Sequence, residues 1–321
     1  MNTLTFNALW DEAMQKFRDG AYTEVYDLLT REGERFPNEK AYIIYLRACA
    51  AARQEENDLA LQLLEEARQE SLWLSQWVMR ESPSFQPLQG VPAFEELREA
   101  FRVLEEEAQI GPVLLTVEPE GGCWAEQPCP LLAAMHGNGE NGRTALEEWR
   151  SAVSEGWLLA VAQSSQVVAP NSYAWNDREL GLSELQEHYA SLREQQVIDE
   201  GRVVVAGFSM GAETAIRAAL EQTIPARGFI AIGPSGPTLA EAERWQPLIE
   251  PGRERGLRGY VLLGENDLSI PQEELRELVE RLNAGGVPCE LEVYPNLAHE
   301  FPPDFGAILS RALAFVVDAE R

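Results

Sequence analysis

The hydrophobic pattern of this chain changes at Gly111, and that change constrains its fold more than any other feature. Before Gly111, apolar residues recur at intervals of three and four, which is typical of amphipathic helices. After it, short apolar runs alternate with helical stretches, and Gly111-Pro112 fits a boundary because proline disfavours helix in the residue before it. A chain of 321 residues is also long for one core. We therefore predict a helical domain over residues 1–108 and a second domain over residues 111–321.

The helical region contains a weak internal repeat. Two apolar triplets recur at an offset of 35 residues: Val25, Leu28 and Leu29, then Ala60, Leu63 and Leu64. A helix-pair repeat near this period resembles the tetratricopeptide repeat, in which about three repeats are needed for stability. The third pair would have to come from residues 68–108. The alternative is an irregular helical bundle that covers the other domain.

Seven apolar runs in the second domain are candidate strands. They are residues 113–118, 131–136, 157–164, 202–208, 228–233, 259–264 and 289–295. Several are apolar on both faces, as a sheet covered by helices on both sides requires. The alternation of strand and helix predicts an α/β fold with a doubly wound, mainly parallel sheet, preceded by the all-α region. In such sheets the functional residues lie at the carboxyl ends of the strands.

The most specific motif is the GxSxG sequence at residues 207–211, placed between a predicted strand and a predicted helix. Such a turn holds a nucleophile above the sheet, and glycine is needed on both sides because a side chain there would meet the strand or the helix. The helix N-terminus that follows favours negative charge. Ser209 is therefore the predicted nucleophile.

A serine nucleophile needs a base and an acid that orients it. Of the three histidines, only His299 lies in a loop after the last strand, whereas His188 sits within a helical stretch. Asp267 follows the preceding strand and is the predicted orienting acid, with Glu265 and Asp304 as rivals. Serine, aspartate and histidine in this chain order match an α/β-hydrolase triad.

A glycine-containing loop, His136-Gly137-Asn138-Gly139, follows the second candidate strand. Its small residues leave backbone N–H groups exposed, so one of them is predicted to hold an oxyanion together with the N–H of Met210. Asn138 is the first choice and Gly137 the second. His136 is expected to support the loop.

The segment 166–181 combines aromatic and polar residues at a strand end. Long loops in this position line substrate pockets, which makes Trp175 and Tyr173 candidate substrate-binding residues. A surface loop stabilised by its own aromatic residues is the alternative.

On HGNG, GFSMGA, GENDLSIP and NLAHEFP, residues 111–321 resemble the α/β-hydrolase superfamily, nearest to its phospholipase/carboxylesterase and dienelactone-hydrolase-like groups. The resemblance implies a carboxylic ester or thioester substrate, an acyl-enzyme intermediate, no metal and no organic cofactor. Two features depart from it: dienelactone enzymes carry cysteine where this chain has Ser209, and the leading strands of the fold before residue 113 are either missing or replaced by the helical domain.

The composition narrows the partners. A net charge of -27 opposes binding to nucleic acid and to anionic membrane surfaces. The N-terminus lacks the basic and apolar stretches of a signal peptide, and the scattered cysteines are typical of reduced thiols, so a cytoplasmic protein is expected. The alternatives to a serine esterase are a peptidase or acyltransferase on the same triad, and an interaction module that binds a protein partner through residues 1–108 and has an inactive hydrolase domain.

Overall fold

The computed structural model of the protein describes residues 5–108, 111–270 and 272–317. The chain divides into two compact units. One comprises Met1–Ile110 with Val167–Ser172, and the other comprises Gly111–Gln166 with Tyr173–Arg321. The division falls near the predicted boundary, but the segment Val167–Ser172, expected in the second domain, groups with the helical unit. The outermost residues of the two predicted domains, 1–4 and 318–321, lie outside the described residues.

The first unit is built from α-helices joined by short turns. They are α1 (Phe6–Arg18), α2 (Tyr22–Glu32), α3 (Lys40–Arg53), α4 (Asn57–Gln69), α5 (Gln76–Glu81) and α6 (Pro92–Ala108). Both apolar triplets of the repeat are buried, on α2 and α4 respectively. The segment Val167–Ser172 is tied to this unit by a hydrogen bond from the Ser75 N–H to the Val168 carbonyl at 2.9 Å. The likeness to tetratricopeptide repeats stays a prediction.

The second unit contains a seven-stranded sheet with the order β1-β3-β2-β6-β7-β8-β9. Its strands are β1 (Val113–Val117), β2 (Cys129–Met135), β3 (Leu158–Gln163), β6 (Ile198–Phe208), β7 (Gly228–Ile232), β8 (Arg258–Gly264) and β9 (Cys289–Tyr294). A separate pair, β4 (Val167–Ala169) and β5 (Ser172–Tyr173), lies outside this sheet, and all but Tyr173 of it belongs to the first unit. Only β1 runs antiparallel to its neighbour among the described strands of the large sheet. The predicted fold class, an α/β fold with a mainly parallel sheet and a helical region before it, is confirmed.

Helices cover both faces of the sheet, which explains why its central strands are apolar throughout. Helices α7 (Gly142–Trp149), α8 (Ser151–Ser154) and α13 (Phe305–Val317) lie on one face, and α9 (Arg178–Gln195), α10 (Met210–Leu220), α11 (Ala242–Glu254) and α12 (Gln272–Ala284) lie on the other. Along β2 the side chains alternate between the two faces. Ala133 packs in the core beneath α9–α12, and Ala134 packs in the core beneath α7, α8 and α13. Because the central strands are parallel, their carboxyl ends meet along one edge.

The cysteines differ from the sequence-based expectation. Cys123 and Cys129 form a disulfide, whereas Cys49 and Cys289 are free and buried. The expectation of reduced thiols is thus wrong for one pair, because β2 begins at Cys129 and the turn before it brings Cys123 alongside. The cytoplasmic assignment loses that support and stays a prediction. No helix within the described ranges has the length and apolar character needed to cross a membrane.

Candidate active site

Ser209 lies at the turn between β6 and α10, in a backbone conformation that serine rarely adopts. Its φ is 54° and its ψ is -121°, a strained combination for a residue with a side chain. The flanking glycines permit the turn. A Cβ on Gly207 would lie 2.2 Å from the carbonyl oxygen of Gly211, and a Cβ on Gly211 would lie 2.3 Å from the carbonyl oxygen of His136.

The structure brings Ser209, His299 and Asp267 into one hydrogen-bonded chain. The Ser209 Oγ lies 2.9 Å from His299 Nε2, and His299 Nδ1 lies 2.7 Å from Asp267 Oδ2. Asp267 is only 2% exposed and also accepts the Ser269 N–H at 2.9 Å. With Nδ1 protonated and directed to the carboxylate, Nε2 is left to accept the serine proton.

The rival acids are occupied elsewhere. Glu265 accepts the backbone N–H of Asn296 at 3.0 Å, which joins the loops after β8 and β9. Asp304 hydrogen-bonds Tyr294. Of the three candidate carboxylates, Asp267 is hydrogen-bonded to His299 at 2.7 Å. His188 lies half-buried on α9, away from this chain of hydrogen bonds.

The loop after β2 has most of its backbone donors already bonded. The Gly137 N–H donates to the Glu140 carboxylate at 2.8 Å, the Gly139 N–H to the Tyr173 carbonyl at 2.8 Å, and the Glu140 N–H to the Gly137 carbonyl at 3.2 Å. Within the described residues, the N–H of Asn138 has no such bond, and Asn138 is exposed. The N–H of Met210, in the first turn of α10, belongs to the donors that a helix leaves without an intrahelical partner. The geometry therefore favours Asn138 over Gly137 as a donor beside Met210.

His136 holds this loop from within the core. Its Nδ1–H donates to the Gly137 carbonyl at 2.7 Å, and its Nε2 accepts the Ser164 N–H at 3.3 Å. This pattern requires a neutral ring, and burial lowers the pKa of His136 to about 4. His136 is fully buried and does not reach Ser209 in any described hydrogen bond.

The two candidate substrate-binding aromatics lie against the same loop. Trp175 is 1% exposed, donates its indole N–H to the His136 carbonyl at 2.9 Å, and packs its ring 4.9 Å from the imidazole. Tyr173 is also buried and bonds the loop through its backbone. Both residues thus support the loop after β2, and contact with a substrate stays a prediction.

Two carboxylates of the site went unnoticed in the sequence. The Glu140 carboxylate accepts the Gly137 N–H. Burial raises the pKa of this carboxyl group, and the Gly137 N–H and the nearby His299 oppose that rise. Glu213, four residues after the nucleophile, is 1% exposed and paired with Arg178. The spacing of Glu213 from Ser209 was visible, but nothing in the sequence indicated a buried partner. In the part of the chain that the structure describes, no cluster of three or more histidine, cysteine or acidic side chains is arranged for a metal ion.

A mainly parallel α/β sheet with a strained serine at a strand-to-helix turn, hydrogen-bonded to histidine and then to aspartate, defines the class of the α/β-hydrolases. Comparison with known families agrees. Residues 162–308 match the dienelactone hydrolase family, and residues 5–109 match the A/B hydrolase-like N-terminal domain. The expected kinship is confirmed, and the chain is a serine esterase-type hydrolase. A comparison with curated proteins found no match to this sequence.

Solved structures share the fold. A protein described as uncharacterized from Bacillus cereus ATCC 10987 is 24% identical with a TM-score of 0.56, and the match covers 98% of this chain and 99% of that one. Esterase PE8 is 17% identical with a TM-score of 0.52, over 63% of this chain and 100% of its own. Est1E from Butyrivibrio proteoclasticus, with ferulic acid bound, is 13% identical with a TM-score of 0.50, over 64% and 94%. The first of these likenesses spans the helical region as well as the sheet.

Proposed function

We propose that this protein cleaves a carboxylic ester or thioester through Ser209, His299 and Asp267, with an acyl-enzyme intermediate. The observation that carries the proposal is the pair of hydrogen bonds that joins Ser209 to His299 at 2.9 Å and His299 to Asp267 at 2.7 Å. Together with the strained backbone of Ser209, they present an activated hydroxyl at the edge of the sheet.

In the first half of the proposed reaction, the Ser209 Oγ attacks the substrate carbonyl carbon while its proton passes to His299 Nε2. The resulting oxyanion is stabilised by the N–H groups of Met210 and Asn138, and Asp267 stabilises the imidazolium. When the intermediate collapses, the bond to the alcohol or thiol breaks and His299 returns its proton to that leaving group. Ser209 then carries the acyl group as an ester.

In the second half, a water molecule takes the place of the leaving group. His299 accepts a proton from the water, which attacks the acyl carbon, and the same N–H groups hold the second oxyanion. Collapse breaks the bond to Ser209 Oγ, which recovers its proton from His299. The acid product leaves and the enzyme returns to its starting state.

The experiment that tests this function is hydrolysis of a p-nitrophenyl ester series of increasing acyl length. We expect the wild-type protein to turn over part of the series, with an optimum that sizes the acyl pocket. Ser209→Ala should lower kcat at least ~1000-fold, because the nucleophile is gone. Ser191→Ala, at an exposed serine on α9, is the matched control and should keep full activity. A folded wild-type protein that is inert to every ester and is not labelled by a fluorophosphonate would reject the proposal.

A further inference from the structure

A buried carboxylate sits one helical turn after the nucleophile and is unused by the proposed chemistry. The Glu213 N–H donates to the Ser209 carbonyl at 3.2 Å, and the side chain is 1% exposed. A charged group so far from water is costly unless donors surround it. Glu213 has three: the Arg178 Nε–H at 2.9 Å, the Thr238 N–H at 2.7 Å and the Thr238 hydroxyl.

The donors from Thr238 fix the loop after β7. Beyond the contact with Glu213, the Thr238 carbonyl accepts the indole N–H of Trp245 at 2.8 Å, and Trp245 is fully buried. Gly236 lies so close that a Cβ there would come within 2.1 Å of the Glu213 carboxylate. The carboxylate thus packs directly against the backbone of this loop.

The same loop lies beside the side chains of the proposed triad, Ser209, His299 and Asp267. The Ser235 N–H donates to the Ser209 carbonyl at 3.1 Å. Gly233 lies beside the acid and the base, since a Cβ there would be 3.2 Å from His299 Nδ1 and 3.4 Å from Asp267 Oδ2. Any shift of residues 233–238 therefore changes the space around His299 and the turn that carries Ser209.

The donor from Arg178 connects Glu213 to the segment before α9. Its Nη1 donates to the Asn176 carbonyl at 2.9 Å, next to Trp175, whose indole N–H holds the His136 carbonyl at 2.9 Å. Through Arg178, the carboxylate of Glu213 is connected to the segment that supports the loop carrying Asn138. One buried side chain thus connects the nucleophile helix, the loop beside His299 and the support of the candidate oxyanion loop.

We propose that Glu213, paired with Arg178, is a positioning residue that aligns the loops after β2 and β7 with Ser209. The inference rests on the proposed function, since alignment matters only if these loops take part in ester cleavage. An amide at this position cannot replace the carboxylate, because its NH2 group would face either the Arg178 Nε–H or the Thr238 donors.

The test compares Glu213→Gln with Glu221→Gln, which makes the same change at the end of the same helix, where Glu221 pairs with Arg217. We expect Glu213→Gln to lower kcat about 100-fold, because displacements near 1 Å at a reacting centre have that effect, while KM changes by less than about threefold. The control should keep wild-type kcat. Thr238→Val should lower kcat in the same direction, and Thr238→Ser, which keeps the hydroxyl, should restore it. If Glu213→Gln does not fold, the comparison of kcat between Thr238→Val and Thr238→Ser tests the proposal.

Amide hydrogen exchange gives a readout that does not depend on turnover. In Glu213→Gln, peptides covering residues 136–141 and 233–240 should both exchange faster than in the wild type, and neither should change in Glu221→Gln. Wild-type kcat in Glu213→Gln, or faster exchange confined to residues 233–240, would overturn the inference. Failure of the proposed function would instead appear in the wild-type protein itself, which would then be inert to esters, and the exchange data would still decide the role of Glu213.

Discussion

At the scale of single residues, Asp267 is the most discriminating position of the proposed triad. We predict that Asp267→Asn lowers kcat about 10,000-fold, because the amide NH2 facing His299 Nδ1 favours the tautomer whose Nε2 carries a proton and cannot accept one. The neighbouring Glu265→Gln should retain activity, since the described hydrogen bond of the Glu265 carboxylate is the one from the Asn296 N–H. Equal losses in the two variants, measured as kcat on one p-nitrophenyl ester, would contradict the assignment of Asp267.

His136 gives a residue-scale prediction about pH. Burial holds its folded-state pKa at about 4, below the usual 6.5, so between these values the unfolded chain binds more protons than the folded one. The stability contributed by neutral His136 is therefore complete above about pH 6.5 and is lost as the pH falls toward 4. We expect the free energy of unfolding to fall by about 3 kcal/mol more in the wild type than in His136→Gln between pH 7 and pH 4. Urea titrations of both proteins at several pH values measure this difference, and parallel pH profiles would refute it.

The serine, histidine and aspartate were predictable because each follows a strand, and parallel strands bring such residues to one edge. The hydrogen bond between Glu140 and Gly137 could not be predicted, because it depends on how deeply the loop is buried, and the local sequence pattern does not indicate that depth. The same holds for Glu213 and Arg178, which are 35 positions apart in sequence. The residues proposed to react could be predicted from the sequence, whereas the buried contacts around them became visible only in the structure.

At the scale of elements, the turn between β6 and α10 depends on two glycines. We predict that Gly211→Ala destabilises the protein by about 3 kcal/mol and abolishes activity, because the added Cβ would lie 2.3 Å from the His136 carbonyl oxygen and the backbone must move. The matched control is Gly306→Ala on α13, where the nearest atom to an added Cβ is 3.4 Å away, and there a gain of about 0.5 kcal/mol is expected. Urea unfolding and ester hydrolysis measure both variants, and a stable, active Gly211→Ala protein would disprove the close approach.

The strands were predictable where burial on both faces of the sheet produces a continuous apolar run in the sequence. All seven candidate strands pair in the large sheet, with ends that differ by a few residues, as for β6, which begins at Ile198 and not at Arg202. The hairpin of β4 and β5 was missed because its strands are only 3 and 2 residues long, too short for a period to be read. The disulfide was missed for a similar reason, since a separation of 6 residues places two cysteines together only if the intervening chain turns back.

At the scale of the whole molecule, the surplus of carboxylates outweighs the local ion pairs. The chain has 53 acidic and 26 basic residues, so 27 negative charges remain even if every cation is paired. Many of its ion pairs join exposed side chains, such as Arg150 and Glu147 at 55% and 67% exposure, and pairs of this kind contribute at most about 1 kcal/mol each. We therefore expect repulsion among the unpaired charges to be the larger electrostatic effect on folding near neutral pH.

This balance predicts how the stability responds to salt. At pH 8, raising NaCl from about 0.01 M to about 1 M shortens the screening length from about 30 Å to about 3 Å, so the repulsion fades and Tm should rise. Near pH 4.5, the isoelectric point of the sequence, the net charge vanishes. Salt then screens mainly the attractive ion pairs, so the increase of Tm with NaCl should disappear or reverse. Thermal unfolding at both pH values separates this charge effect from a general salting-out effect, which would raise Tm equally at the two. A Tm that falls with NaCl at pH 8 would mean that the exposed ion pairs contribute more than the repulsion they are set against.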